Sequence, residues 1–451
     1  MSKLRSVFSS LLGNGSEEPP HPRESRDNRA SQASLPEKYV YTRPSFLQLP
    51  TDNIVDHNMR PIFVSSGSLP FNAGYAECIN GGKSKVNEDQ AAVGSFHLCI
   101  GDNTSQAQRI PVSYYGVFDG HGGPGAAMMA AEVLIVHIQE KLTDIINDLH
   151  RILKGDRDET YFQEVTVDDL VFGALEAAFC SLDEQILTEL STFNISGGCA
   201  ALVVLVLLEK VFVASTGDCR AVICLGDELK QLSKESTPWN ELHRLQLVAN
   251  SDMYSSIFQK DVTDTIFIRR VLHRDVGKKI LCKEPTKSHW AYKVVTEEDV
   301  LFPFIYGKGK LCRLMETIGV SRSIGDHNLT TTFSRDYKLK PFLIPNPEVD
   351  VFNLQKTSAT RDDFIIVGCD GLWDVLSNEK ARDIARNIIS NSSDENRYTE
   401  AAQMLIHQAR GNNSGSGWKL ENGQPGSFDD ISVFVIPLEP MTHCTHTPVE
   451  K

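Results

Sequence analysis

Acidic residues recur in this sequence where apolar runs begin or end. Tyr114-Tyr115-Gly116-Val117-Phe118 leads into Asp119-Gly120-His121-Gly122-Gly123. The run 211–216 leads into Gly217-Asp218, and 364–369 into Asp370-Gly371-Leu372-Trp373-Asp374. Asp429-Asp430 stands immediately before Ile431-Ser432-Val433-Phe434-Val435, and Asn87-Glu88-Asp89 precedes a further apolar stretch. A single Asp-Gly at a strand end is an ordinary turn. Repetition beside buried-type sequence instead predicts carboxylates converging on one sheet edge, where mutual repulsion calls for cations. Oxygen donors without a Cys or His cluster select Mg²⁺ or Mn²⁺ over Zn²⁺. His121 on its own reads as a surface turn residue. Beside Asp119 and Gly120 it is a candidate acid for protonating a leaving oxygen, and the glycines allow the backbone to approach an ion or substrate closely.

Such carboxylates need strands to carry them. Residues 112–118, 202–208, 219–225, 364–367 and 431–436 read as strands, and Glu209-Lys210 predicts a hairpin into 211–214. Helices are expected at about 124–148, 168–192, 378–390 and 397–410. Clustered strands joined by short turns, with grouped helices, predict an α+β layered fold. The stretch from Ser233 to about Lys310 has no simple periodicity.

The chain has 451 residues, 41% hydrophobic and 23% charged, which excludes disorder throughout. A formal net charge of −14 argues against non-specific nucleic-acid binding. The ten cysteines form no Cys-x-x-Cys pair, so neither a zinc ribbon nor a redox motif is suggested. The longest apolar run, 199–208, falls well short of the roughly 20 residues of a membrane-spanning helix. The first residues lack the pattern of a secretory signal peptide. The expected location is cytoplasmic, with reduced thiols.

Residues 1–12 place Leu4, Val7, Phe8, Leu11 and Leu12 at helical spacing, flanked by Lys3 and Arg5. That pattern predicts a short amphipathic helix in reversible contact with a membrane. Packing against the rest of the protein, or the start of a mitochondrial presequence, are the alternatives. Residues 13–37 hold four prolines and a single large aliphatic residue, predicting a disordered linker. A globular domain is expected over 38–437, followed by a loose tail at 438–451.

In order, FDGHGG, SGGCAALVV, VASTGDCRAVI, IGVSRSIGDH, CDGLWDVLSN and DDISVFVI resemble the motif series of the metal-dependent Ser/Thr protein phosphatases of the 2C type. The resemblance covers about residues 73–437. GYAECINGGKSKVNEDQA, NISGGCAAL, WAYK at 290–293, FIYGKGK at 304–310 and GLWDVLSNEKA are similar to the 1H, 1J and 1M branch. The resemblance implies a four-layer α/β/β/α sandwich of two antiparallel sheets flanked by helices. It implies hydrolysis of phosphoserine and phosphothreonine on proteins, by a water activated between two cations and without a phospho-enzyme. By the same resemblance Asp119 bridges both catalytic ions, Asp370 and Asp429 complete one site, and the Gly120 carbonyl serves the other. Glu88 and Asp89 act through water, and Asp218 and Asp374 contribute to a third, weaker site. His121 protonates the departing alcohol.

Retention of Asp119, Gly120, Asp370 and Asp429 argues against a dead adaptor, and the ordered motifs argue against a small-molecule phosphoesterase. Many relatives place an arginine where this chain has Ser84. Lys83 is the favoured phosphate ligand and Lys85 the second choice. A lysine supplies charge but not a bidentate fork, and the alternative is two solvated lysines. The long interval between Asp218 and Asp326 predicts a flap insertion at about 233–310. Its Arg269-Arg270, His273-Arg274 and Lys278-Lys279 either meet a substrate protein or are solvated. The branch further implies substrates of the Rab-type small GTPase class, and the family a monomer.

Overall fold

The computed structural model describes residues 62–63, 69–78, 83, 87–100, 108–155, 165–249, 266–269, 271–283, 289–300, 304–307, 309–331, 337–356, 359–393, 395–413 and 417–442. The helix expected at 1–12, the linker at 13–37 and most of the 438–451 tail lie outside these residues.

Two antiparallel sheets form the centre. One contains β3 (Gln90–Ile100), β4 (Gln108–His121), β5 (Gly198–Leu207), β6 (Lys210–Thr216) and β15 (Glu348–Asn353), in the order β15-β6-β5-β4-β3, with the short β14 (Ile324–Gly325) also paired to β5. The other contains β1 (Ile62–Phe63), β2 (Gly74–Cys78), β7 (Arg220–Leu225), β8 (Glu228–Gln231), β16 (Phe364–Gly368) and β19 (Ile431–Pro437), in the order β1-β2-β19-β16-β7-β8.

Strand β5 shows why these sequences form a sandwich. Leu202, Val204 and Val206 enter the core between the sheets, while Ala201, Val203, Leu205 and Leu207 enter the core beneath the helices. The alternation is the two-residue period of a strand. Both faces are covered, so the run reads as continuously apolar. Each fully buried Val or Leu contributes about 1.5–3 kcal/mol of burial free energy. The hairpin to β6 pairs Leu207 with Lys210, leaving Leu208 and Glu209 in left-handed conformations (φ +51° and +57°). This is the backbone a two-residue hairpin requires, here without glycine.

Helices α1 (Gly125–Asp144), α2 (Ile146–Leu153) and α3 (Val167–Glu189) cover the first sheet. The single helix expected at 124–148 is therefore two, separated at Ile145. Helix α3 starts in a capping box, with Thr166 and Asp169 each bonded to the other's backbone N–H. Helices α6 (Asn378–Asn391) and α7 (Arg397–Arg410) cover the second sheet. The layers are thus α/β/β/α, as the motif resemblance implied.

The flap region contains α4 (Leu242–Ala249), a three-stranded sheet of β9 (Ile266–Phe267), β10 (Lys279–Lys283) and β11 (Ala291–Val294), and a pair of β12 (Ile305–Tyr306) with β13 (Arg313–Leu314). Its three-stranded sheet has a small core of Val271, Ile280 and Val295. Polar contacts anchor its start to the body. Glu241 accepts from Arg322, Arg244 and Ser321, and Arg244 also donates to the Ser321 and Phe342 carbonyls. The remaining elements are a short hairpin, β17 (Asn412–Asn413) with β18 (Trp418–Lys419), and the short helix α5 (Asp370–Trp373).

Candidate metal and catalytic centre

Strand register brings the acidic segments together. Gly368 of β16 pairs with Arg220 on one side and Val433 on the other. The segments 218–219, 369–370 and 429–430 therefore leave the second sheet at one edge. In the first sheet Gln90 pairs with Phe118, and Asp119 with Ala200, which places Asp89 and Asp119 at the facing edge.

Hydrogen bonds join the two edges. The Asp370 N–H donates to Asp119 Oδ2 at 3.3 Å, the Glu88 N–H to Asp430 Oδ2 at 2.8 Å, and Ser432 Oγ to Asp89 Oδ2 at 2.9 Å. One carboxylate oxygen each from Asp119, Asp218 and Asp370 lie within 4.8 Å of one another. Burial and the neighbouring Asp370, Asp89 and Asp429 push the Asp119 carboxyl well above its ordinary range. Burial, with Asp218 and Asp429, raises Asp370 to about 8. Burial, with Asp374 and Glu235, raises Asp218 to about 6. Asp89 is also held well above its ordinary value, by burial and by Asp430 and Asp429.

Among the described residues, Asp370 Oδ1 is a buried oxygen with no hydrogen-bond partner. An unsatisfied oxygen among mutually repelling carboxylates suits a hard divalent cation, which supplies both the missing partner and the missing charge. The residues present therefore fit the implied ions.

Gly120 is required by close approach. A Cβ there would lie 2.3 Å from the Glu88 carbonyl oxygen, so any other residue would push the end of β4 away from the segment that leads into β3. The Glu88 side chain accepts from the Gly123 N–H at 2.6 Å and braces the turn that carries His121. Buried Arg410 donates to the carbonyls of Ser427, Asp429 and Cys78, holding the approach to Asp429.

The candidates divide by position. Asp119, Asp218 and Asp370 share one cluster, and Asp89 lies against Asp119. Lys83 Nζ is paired with Asp429 Oδ2. Burial opposes its charge, but Asp370 and Asp429 outweigh that and hold the ammonium above its ordinary value. Asp374 sits at the rim, exposed, with its Oδ1 2.7 Å from flap residue Lys310. Lys85 lies outside the described residues. The flap cations are partly committed: Arg269 forks onto Asp275 at 2.8 and 3.0 Å, Lys278 lies 3.6 Å from it, and His273 is 3.4 Å from Glu297.

Sequence reasoning missed three site residues. Asp430 was visible beside Asp429, yet its link to Glu88 depends on the packing of the sheets. Cys369 contributes a sulfur within 4.8 Å of oxygens of Asp89 and Asp119. Burial and the surrounding carboxylates push its thiol well up. The third, Asp326, lies 2.8 Å from His121 Nε2 through Oδ2. Burial opposes protonation of His121, and Asp326 outweighs it, so the imidazole is held above its ordinary value. The available signal for Asp326 was another Gly-Asp, in IGVSRSIGDH.

Residues 79–247 and 307–416 match the sequence profile of the family described as Protein phosphatase 2C. The intervening unmatched stretch coincides with most of the flap. Protein phosphatase 1H of Danio rerio is 36% identical, covering 97% of this chain and 98% of its own. Protein phosphatase 1H of Homo sapiens is 38% identical, over 90% of this chain and 92% of its own. Protein phosphatase 1J of Mus musculus is 37% identical, over 92% and 90%. With Asp119, Asp218 and Asp370 inside the matched residues, and with identity sustained over nearly the whole length of these relatives, the chain belongs to the protein phosphatase 2C family and is a serine/threonine protein phosphatase.

Proposed function

We propose that the enzyme removes phosphate from phosphoserine and phosphothreonine of proteins with Mg²⁺ or Mn²⁺ at the carboxylate cluster. The observation that carries this reading is the convergence of Asp119, Asp218 and Asp370 around an unpartnered Asp370 oxygen. Divalent cations bound there would supply a nucleophilic hydroxide near neutral pH and offset charge on the phosphoryl group. Asp119, the Gly120 carbonyl, Asp370 and Asp429 would hold two such ions, and Asp218 with Asp374 would hold a third more weakly. Glu88 and Asp89 orient water at the ions. Lys83, poised on Asp429, turns its ammonium to the phosphate oxygens; Lys85 is the second choice. His121 donates a proton to the departing Ser or Thr oxygen. No protein nucleophile takes part, which accords with the raised thiols of the buried cysteines.

The test is phosphate release from a phosphothreonine peptide with Mn²⁺, and its loss with EDTA. Activity that survives EDTA removes the metal reading. His121→Gln is expected to slow the peptide by about 10²-fold and p-nitrophenyl phosphate far less, because nitrophenolate leaves without a proton. Equal losses remove the acid role.

The same reading extends to place and substrate. Trp290, Tyr292 and Val294 are exposed on the flap, which supports a protein rather than a small substrate. The amphipathic pattern of residues 1–12 supports reversible attachment to membranes from the cytoplasm, bringing a monomeric enzyme to membrane-bound substrates of the Rab-type small GTPase class. Deletion of residues 1–12 is expected to abolish liposome flotation and leave peptide turnover unchanged. Equal flotation of both forms overturns the anchor.

A further inference from the structure

His121 bridges two environments. Its side chain is 31% exposed, while that of its partner Asp326 is 1% exposed. Asp326 Oδ2 accepts from Ser323 Oγ at 2.5 Å and lies 2.8 Å from His121 Nε2. The backbone around it is fixed on both sides. The Asp326 N–H donates to the Gly197 carbonyl at 3.0 Å, and the Gly325 N–H to Asp183 Oδ1 at 2.8 Å. Asp326 itself is left-handed (φ +58°), a conformation that costs free energy for a residue with a side chain and is retained where the surroundings enforce it. Space has been cleared for its carboxylate: a Cβ on Gly198 would lie 2.2 Å from Asp326 Oδ2.

A buried carboxylate held this firmly against one nitrogen of a partly exposed imidazole orients the ring and selects its tautomer. We propose that Asp326 is a positioning residue for His121: it engages Nε2–H and leaves Nδ1 as the atom that delivers the proton. As the P–O bond breaks, its electron pair stays on the alcohol oxygen, which takes the Nδ1 proton. The neutral ring keeps Nε2–H on Asp326 and regains a proton at Nδ1 from water. Proton delivery rests on the acid role given to His121 above; the Nε2 bond does not.

The experiment uses the full chain with saturating Mn²⁺. Asp326→Asn is expected to lower kcat on a phosphothreonine peptide by about 10–100-fold, to leave KM within about twofold, and to cost p-nitrophenyl phosphate less than about threefold. The double variant with His121→Gln should be no slower than His121→Gln alone. Ser323→Ala, a milder change, should show a smaller loss with the same preference for the peptide. Nitrogen-15 spectra of the histidines, recorded with diamagnetic Mg²⁺ in place of Mn²⁺ and with His121 assigned by subtraction of the His121→Gln spectrum, should show its Nε2 protonated in the native enzyme and altered in Asp326→Asn.

Equal losses on both substrates with weakened Mn²⁺ binding, or additive losses in the double variant, would make Asp326 a structural residue and overturn the proposal. An unprotonated Nε2 in the native spectrum would also overturn it. If His121→Gln shows no preference between leaving groups while Nε2 is protonated, the acid reading and Nδ1 delivery fall together, and the orienting bond alone stands.

Discussion

At the catalytic edge Asp119, Asp218, Asp370 and Asp429 each stand at the end of a strand whose adjoining residues are buried on both faces, whereas among the described residues the three-stranded sheet of the flap gathers Val271, Ile280 and Val295 into a small buried core of its own. Around that small core the flap exposes Ile268, Trp290, Tyr292 and Val294, and relies on ion pairs at Asp275 and Asp299. The edge uses packing to force like charges together. The flap uses opposite charges to hold together a surface that packing covers poorly. Rigidity is concentrated where ligand positions must hold to a fraction of an ångström, and adaptable surface where a macromolecular partner arrives.

The largest expected effect tests the edge directly. Asp370→Asn should lower peptide turnover by about 10³-fold or more. It should also stabilise the metal-free protein at neutral pH, since it removes a carboxyl that the buried cluster forces to take up a proton on folding. The sign follows from linkage. Asp370 is raised to about 8 from an unfolded value near 3.9. Its contribution is fully present below about pH 4 and is lost as pH rises towards 8. Thermal melts without metal should therefore fall over that window in the native chain and fall less steeply in the variant, where the raised Asp119, Asp89 and Asp218 remain. Added Mn²⁺ should reverse the fall. Wild-type turnover by the variant would break the comparison.

Next come core deletions on the two sides. Phe434 is fully buried, its ring 4.6 Å from that of Tyr75 and 5.7 Å from that of Tyr115. Phe434→Ala should cost about 3–5 kcal/mol of global stability. Ile280→Ala should cost about 2 kcal/mol locally, raising amide exchange across β10 and β11 without moving the main melting transition. A shift of that transition as large as the Phe434 variant's would show that flap and sandwich unfold as one unit.

The smallest effect sits where the two regions touch. Lys310 and Asp374 are 65% and 62% exposed, and such surface pairs are worth at most about 1 kcal/mol. Lys310→Ala should leave stability unchanged and strengthen Mn²⁺ binding at the weaker site, read by calorimetry. Unchanged binding would mean that the flap lysine does not compete there.

The sandwich was legible in the sequence because β-branched alternation and helical periodicity act locally. Expected helices at 378–390 and 397–410 match α6 and α7 within a residue. The carboxylates were legible because each ends or begins a strand. What stayed hidden depends on layers meeting: Asp326 against His121, Asp430 against Glu88, and Arg410 against the Asp429 carbonyl. None of these pairs has a local spacing that reveals it. The flap was legible as an insertion from its length, but its internal elements stayed hidden for another reason. Its strands are short, and its order comes from ion pairs and turns rather than from periodicity.

The bond from the Asp370 amide to Asp119 spans 251 positions of chain. Closing so long an interval comes late, since local strands and helices can form before distant segments meet. No fragment with one sheet alone contains the ligand set, so a nascent chain lacks a working centre until β16 and β19 have docked. With the ligand set proposed above, ion binding would report the end of folding, because its carboxylates meet only after the two sheets have closed on each other.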